Sequence, residues 1–230
     1  MLKFYYNTGP NPAKVALFLE EAGLDYEVVP VDARTGGQHT PEFRAINPNG
    51  KLPAILDDDV RIFDSSAILL YLGRKTGKFY VPPENAAHAE MLSWMLFVAS
   101  GIGPYSGQAS HFLRDAPEPK DYALNRYTFE AERHWIIVED QLAKGRYMLG
   151  ETYSIVDMSL WGWGRFVQYL AGAEAWNDRF PNLKRLIEEI DARPAAARAK
   201  ALAQKFQFKQ EMDEDARRHL FPQNQRLTQP

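Results

Sequence analysis

Short apolar runs alternate with helical stripes through the first third of the chain, and only helical stripes follow. "LKFYY" (2–6) is a β-type run. Val15, Leu17, Phe18 and Leu19 then supply the apolar positions of a helix over 12–22, with Asn11 where an N-cap belongs, Pro12 at the first helical position and Gly23 at the far end. "YEVVPV" (26–31) is a second strand, and its Pro30 points to an irregular or edge position. "ARTGGQHT" reads as a loop, after which Thr40-Pro41 opens a short helix running to Ile46. "PAIL" and "VRIF", parted by "DDD", have the spacing of a hairpin. "DSSAILLYLGRKTG" follows with an N-cap serine, an apolar stripe and a terminating Gly77. The order is βαβ, α, ββα.

Past the Pro-rich "KFYVPPEN" the pattern is helical only, over 85–103, 121–144, 154–171, 182–192 and 194–206, with Trp94, Trp135, Trp161 and Trp163 inside these segments. The expected organisation is therefore an α/β domain at 1–78, a linker at 79–84, an all-α domain at 85–206 and a polar tail at 207–230. The tail is expected to lie on the surface or to be partly mobile. Ser154-x-x-Asp157 before an apolar run is a capping box, expected to nucleate a buried helix.

Composition narrows the function classes. A chain of 230 residues with 45% hydrophobic content can build a sizeable core, and a formal charge of −3 gives no electrostatic footprint for nucleic acid. No apolar run approaches the ~20 residues needed to cross a bilayer, and no signal peptide precedes the first strand, so a soluble, cytoplasmic protein is expected. The absence of cysteine excludes disulfides, thiolate metal sites and a cysteine nucleophile. Five scattered histidines without an HExxH or His-x-His pair make no case for a metal.

Three places could carry chemistry. The turn "YYNTGPNPAK" leads into a helix N-terminus, whose N–H groups and partial positive charge stabilise an anion such as a thiolate. Thr8 and Asn11 could add donors there, or serve only as turn and cap. Asp64-Ser65 stands at another helix start, where Ser65 could hold a carboxylate and Asp64 an ammonium group, or the pair could simply cap. In "NPNGKLPAILDDD" a cis bond at Pro53 would turn the backbone of Leu52 outward, ready to pair with a peptide-like ligand. Lys51 could meet a carboxylate or remain a solvated loop lysine.

In this order and spacing, "NPNGKLPAI" (47–55), "DSSAILLYL" (64–72), the Pro-rich connector and the Ser154/Asp157 box in a helical second half resemble the cytosolic glutathione transferases over roughly residues 1–200. The first 55 residues look most like the bacterial Nu class, glutathione-dependent disulfide oxidoreductases, with the lignin-ether-cleaving and Ure2-like branches as neighbours. The resemblance implies a thioredoxin-like N-terminal domain joined to an all-α helical-bundle domain, paired as a homodimer. It implies glutathione as co-substrate, with no metal. Leu52, before a cis-Pro53, would pair with its cysteinyl part, and Asp64 and Ser65 would hold its γ-glutamyl end. Gln38 and Lys51 would reach the glycine end or a second glutathione, Asn11 with Thr8 would face the sulfur, and Arg126 would reach the ligand from the helical domain. The second, electrophilic or disulfide, substrate would lie against Trp94, Phe97, Tyr105 and Trp163, whose helical spacing equally suits a core.

The chain departs from the family pattern in its first turn. Pro10 occupies the usual serine position, Gly9 the usual Nu-class threonine position, and Tyr5 falls near the usual tyrosine position, where a strand tyrosine more often packs in a core. With no cysteine in the protein, both thiols of a disulfide exchange must come from substrates. The alternative to catalysis is a glutathione-binding dimeric scaffold that keeps the fold without the chemistry.

Overall fold

The computed structural model describes residues 1–118, 120–171 and 178–227. Its contacts divide the chain into two compact units, one of residues 1–68 with 198–230 and one of residues 69–197.

The first unit is built on a mixed four-stranded sheet of order β2-β1-β3-β4. β1 (Leu2–Tyr6) pairs in parallel with β2 (Tyr26–Pro30) and antiparallel with β3 (Ala54–Asp57), which pairs antiparallel with β4 (Val60–Phe63). Register follows burial: Phe4 stands opposite Ile55, and both are fully buried. The expected hairpin turns on Asp58-Asp59, with Asp58 at φ 51°, a left-handed conformation that aspartate tolerates. The arrangement of this sheet with its helices is thioredoxin-like, and the second unit is helical, as the sequence pattern leads one to expect.

α1 spans Pro10–Ala22, starting two residues earlier than the sequence suggests. Its cap is Gly9, not Asn11, because Pro10 and Pro12 both fit a first turn that needs no N–H partners. Asn11 is thereby released from capping. α2 (Pro41–Ile46) is capped as expected, by Thr40 accepting from the Phe43 N–H at 3.3 Å. α3 (Ser65–Thr76) is capped by Asp64 rather than by a serine: at φ 71°, its Oδ1 accepts from the N–H groups of Ser66 (2.8 Å) and Ala67 (3.2 Å).

In the second unit α4 (His88–Phe97) passes through a π-helical turn, Val98–Ile102, into α5 (Gly103–Arg114). The helix expected over 85–103 stops where α5 begins, and no helix is expected over 104–120; Pro104 sits in the first turn of α5, where proline is tolerated. α6 (Asp121–Leu142) follows, and the stretch expected as one helix at 154–171 is split into α7 (Ile155–Gly164) and α8 (Val167–Ala171). α9 (Pro181–Asp191) receives its cap from a distant residue. Buried Glu139 of α6 accepts from the N–H groups of Asn182 (2.9 Å) and Leu183 (2.8 Å). The buried tryptophans keep their N–H groups paired, Trp135 to Ser106 at 3.0 Å and Trp161 to Asp191 at 2.7 Å.

α10 (Pro194–Lys205) leads back to the first unit, where the tail is docked. Phe206 and Phe208 lie 6.5 and 6.0 Å from the Tyr6 ring, and Arg34 donates to the carbonyls of Lys209 (2.9 Å) and Gln210 (2.5 Å). The Lys209 N–H returns a bond to Asp32 at 2.7 Å. A last helix, α11 (Glu214–Leu220), is capped by Asp213.

Candidate functional site

Strand direction decides where the candidate residues meet. Ala54 stands opposite Tyr5 on one side and Phe63 on the other, and Tyr6 stands opposite Pro30. The exits of β1, β2 and β4 and the entry to β3 therefore share one end of the sheet. The turn carrying Thr8 and Asn11, the loop carrying Gln38, the Leu52-Pro53 peptide and Asp64-Ser65 all emerge there.

The Leu52-Pro53 bond is cis, as expected, and the ladder begins only at Ala54, so Leu52 lies outside it. Pro53 is buried, Lys51 is exposed, and the Lys51 carbonyl is tied down by the Asn47 side-chain amide at 2.6 Å. Gly50 lets this turn close. At φ 63°, a Cβ there would fall 3.1 Å from the Gln38 carbonyl and 3.0 Å from the Arg44 guanidinium.

Asn11 and Ser65 come together across 54 residues: the Ser65 hydroxyl donates to Asn11 Oδ1 at 3.4 Å. Behind them lies Lys14, only 2% exposed, whose Nζ donates to Ser65 Oγ at 3.4 Å. Burial pulls the Lys14 ammonium down to about 7, while the Asp64 carboxylate pulls it back up. The sequence reading passed over Lys14. A signal was present, since it stands next to Val15, Ala16, Leu17, Phe18 and Leu19, all fully buried, a position lysine rarely takes.

The other candidates are held separately. Thr8 is exposed and donates to Asn7 Oδ1 at 3.3 Å. Gln38 is 5% exposed, and its Nε2 donates to the His219 carbonyl of α11 at 3.1 Å; its Oε1 is buried without a hydrogen bond among the described residues. Gly36 accommodates this contact: a Cβ there would strike the His219 ring at 2.6 Å. Tyr5 packs in a core cluster beside Phe43, Ile46 and Leu52. Arg126, in the second unit, pairs with Glu130 at 2.6 Å within α6. Trp94, Phe97 and Tyr105 belong to one half-buried aromatic run: Trp94 lies 5.6 Å from Phe97, and the His134 ring lies 5.1 Å from Phe97 and 4.9 Å from Tyr105. Trp163 is elsewhere, lining with Phe166 and Tyr169 a cleft of about 20 Å³, room for no more than a water. Among the described residues no three metal-ligating side chains converge, and no helix is long and apolar enough to cross a membrane.

This end of a thioredoxin-like sheet brings together two helix N-termini and the cis Leu52-Pro53 turn, an arrangement whose N–H groups favour an anion. Residues 1–74 match the glutathione S-transferase N-terminal domain and residues 121–189 the glutathione S-transferase C-terminal domain. Disulfide-bond oxidoreductase YfcG of Escherichia coli K12 is 38% identical over 217 residues, covering 89% of this chain and 96% of that protein. Disulfide-bond oxidoreductase YghU of the same organism is 34% identical, covering 86% and 81%. Among solved structures, a glutathione transferase family member from Pseudomonas fluorescens with two glutathione bound superposes with a TM-score of 0.81 at 37% identity, covering 86% of this chain and 91% of that one. URE2P6 of Phanerochaete chrysosporium, in complex with oxidized glutathione, gives 0.84 at 32% identity, covering 89% and 96%. The chain belongs to the glutathione S-transferase family.

Proposed function

We propose that this protein is a glutathione-dependent enzyme of Nu-class type that reduces disulfides, with conjugation to an electrophilic carbon as a side activity. The observation that carries the reading is the convergence at one sheet end of Asn11 and Ser65, in direct contact, with Asp64 and the cis Leu52-Pro53 turn.

The proposed roles follow from chemistry. The backbone of Leu52 pairs with the cysteinyl part of glutathione, Ser65 and Asp64 take the γ-glutamyl carboxylate and ammonium, and Gln38 and Lys51 serve the glycine end or a second glutathione. Asn11, helped by Thr8 and the N-terminus of α1, faces the sulfur. A free thiol titrates near pH 8.5 (about that of free cysteine), and lowering it by about two pH units takes roughly 2.7 kcal/mol of preferential thiolate stabilisation. Two or three donors at a helix start are of that size. The thiolate attacks one sulfur of a disulfide, forming a mixed disulfide and expelling the other sulfur as thiolate. A second glutathione thiolate then attacks the glutathione sulfur, giving oxidised glutathione and the second substrate thiolate. Two thiols supply the two electrons.

In this reading residues 1–78 bind glutathione, 79–84 link, 85–206 offer the second-substrate surface with Trp94, Phe97, Tyr105 and Trp163, and 207–230 form a tail. Arg126 is a further ligand contact. The protein works in the cytoplasm as a homodimer. Edge strand β4 supports the pairing, since Val60 and Phe63 stay 49% and 42% exposed on it. Light scattering at twice the chain mass checks it.

The deciding experiment compares glutathione-dependent reduction of a model disulfide with conjugation of a model aryl halide. Reduction is expected to dominate. Dominant conjugation would overturn the Nu-class assignment, and glutathione binding without either reaction would make the protein a scaffold.

A further inference from the structure

We propose that Lys14 is a positioning residue of the thiol site: its buried ammonium holds Ser65 and, through Ser65, turns the carboxamide of Asn11 so that its NH₂ end meets the sulfur. The inference rests on the glutathione reading above and concerns how that site is oriented and charged.

In its charged form Lys14 sets the direction of the chain at its first link. An ammonium only donates, so at 3.4 Å from Lys14 Nζ the Ser65 oxygen must accept. The one hydroxyl proton of Ser65 is then directed to Asn11 Oδ1, also at 3.4 Å, which leaves the backbone N–H of Ser65 to serve the γ-glutamyl carboxylate. With its oxygen accepting from Ser65, the carboxamide of Asn11 is oriented with its NH₂ end opposite that bond. Each bond polarises the next, so a charge two side chains away strengthens the donor offered to sulfur.

Lys14 has no evident structural reason to be there. It is 2% exposed, forms no salt bridge among the described residues, and has one long contact where an ammonium has three protons to place. The charged group acting on it is Asp64, whose Oδ1 is already committed to the start of α3. Asp64 itself is exposed; a thiolate arriving beside half-buried Asn11 brings a second negative charge towards Lys14, and the cation and the thiolate then favour each other's ionised form.

The test uses the full chain with Lys14→Met, which keeps the length of the stem and removes the charge, and Lys14→Arg, which keeps the charge. Glutathione affinity and the pKa of the bound thiol are read from thiolate ultraviolet absorbance against pH. Lys14→Met is expected to raise the bound thiol pKa by about one, a tenfold loss of thiolate at neutral pH. Lys14→Arg is expected to restore most of it. A wild-type thiol pKa in Lys14→Met overturns the proposal, as does a shift that Lys14→Arg fails to rescue, since shape rather than charge would then be responsible. Should Lys14→Met fail to fold, Ser65→Ala removes the middle of the relay, and an unshifted thiol pKa there overturns the proposal equally. Wild-type protein that binds no glutathione would bring down the functional reading itself, a separate result visible before any variant is made.

Discussion

Two buried charges, one in each unit, are held in opposite ways. Asp157 is 0% exposed, and three short bonds saturate its carboxylate: from the N–H groups of Met148 and Ser154, both at 2.9 Å, and from the Ser154 hydroxyl at 3.1 Å. Lys14 is equally deep, yet it has a single contact at 3.4 Å. Burial pushes the Asp157 carboxyl up to about 6 against the pull of its donors, and it pulls the Lys14 ammonium down to about 7 against the pull of Asp64. A charge that serves the fold is surrounded by its own partners. A charge left short of partners inside the fold is costly unless something from outside completes it.

The largest expected effect tests the saturated side. Asp157→Ala strands three buried donors and should cost about 3 kcal/mol or more in urea unfolding, whereas Asp157→Asn, which keeps the shape, should cost less. The folded state binds the Asp157 proton more tightly than the unfolded chain, so wild type should gain on Asp157→Asn as pH falls from 6 towards 3.8. A small loss in Asp157→Ala would erase the contrast with Lys14.

Lys14→Met should act in the other direction, raising stability at pH 7 by roughly 2 kcal/mol because a buried cation is removed. The unfolded chain binds the Lys14 proton more tightly than the folded one, so the wild type regains ground as pH rises from 7 to 10.5 and the gap closes. Thermal unfolding of both proteins across that range checks it, and a destabilised Lys14→Met would make Lys14 a structural residue like Asp157. Smallest in stability is Ser65→Ala, at about 1 kcal/mol. Its glutathione affinity should nevertheless fall about tenfold by calorimetry, equivalent to about 1.4 kcal/mol of binding. Unchanged affinity would remove the Ser65 hydroxyl from any part in glutathione binding.

Much of this was legible along the chain. Strands, hairpin and capping box are local matters, set by apolar period, turn residues and a serine three places before an aspartate. The Leu52-Pro53 turn and the Asp64-Ser65 helix start were likewise visible as short motifs. Elements with conflicting local signals were not: α5 carries Gly103, Pro104 and Gly107, and its glycines and proline concealed a helix that packing against α6 sustains. The cap of α1 was misplaced for a related reason, as either Pro10 or Pro12 could open the helix.

The sequence by itself determined the strands, most of the helices, their order and the residue types available for binding a thiol, because those depend on neighbours three or four places away. Only the tertiary structure decided which of them meet. Asn11 reaches Ser65 across 54 residues, and Gln38 reaches the tail at His219 across 181, because strand register and docking, rather than spacing, set these distances. Lys14 changed most between the two views. In the sequence it is one more lysine on a helix; in the fold it is a buried cation behind the thiol site, since burial and its electrostatic cost are properties of the packed chain alone.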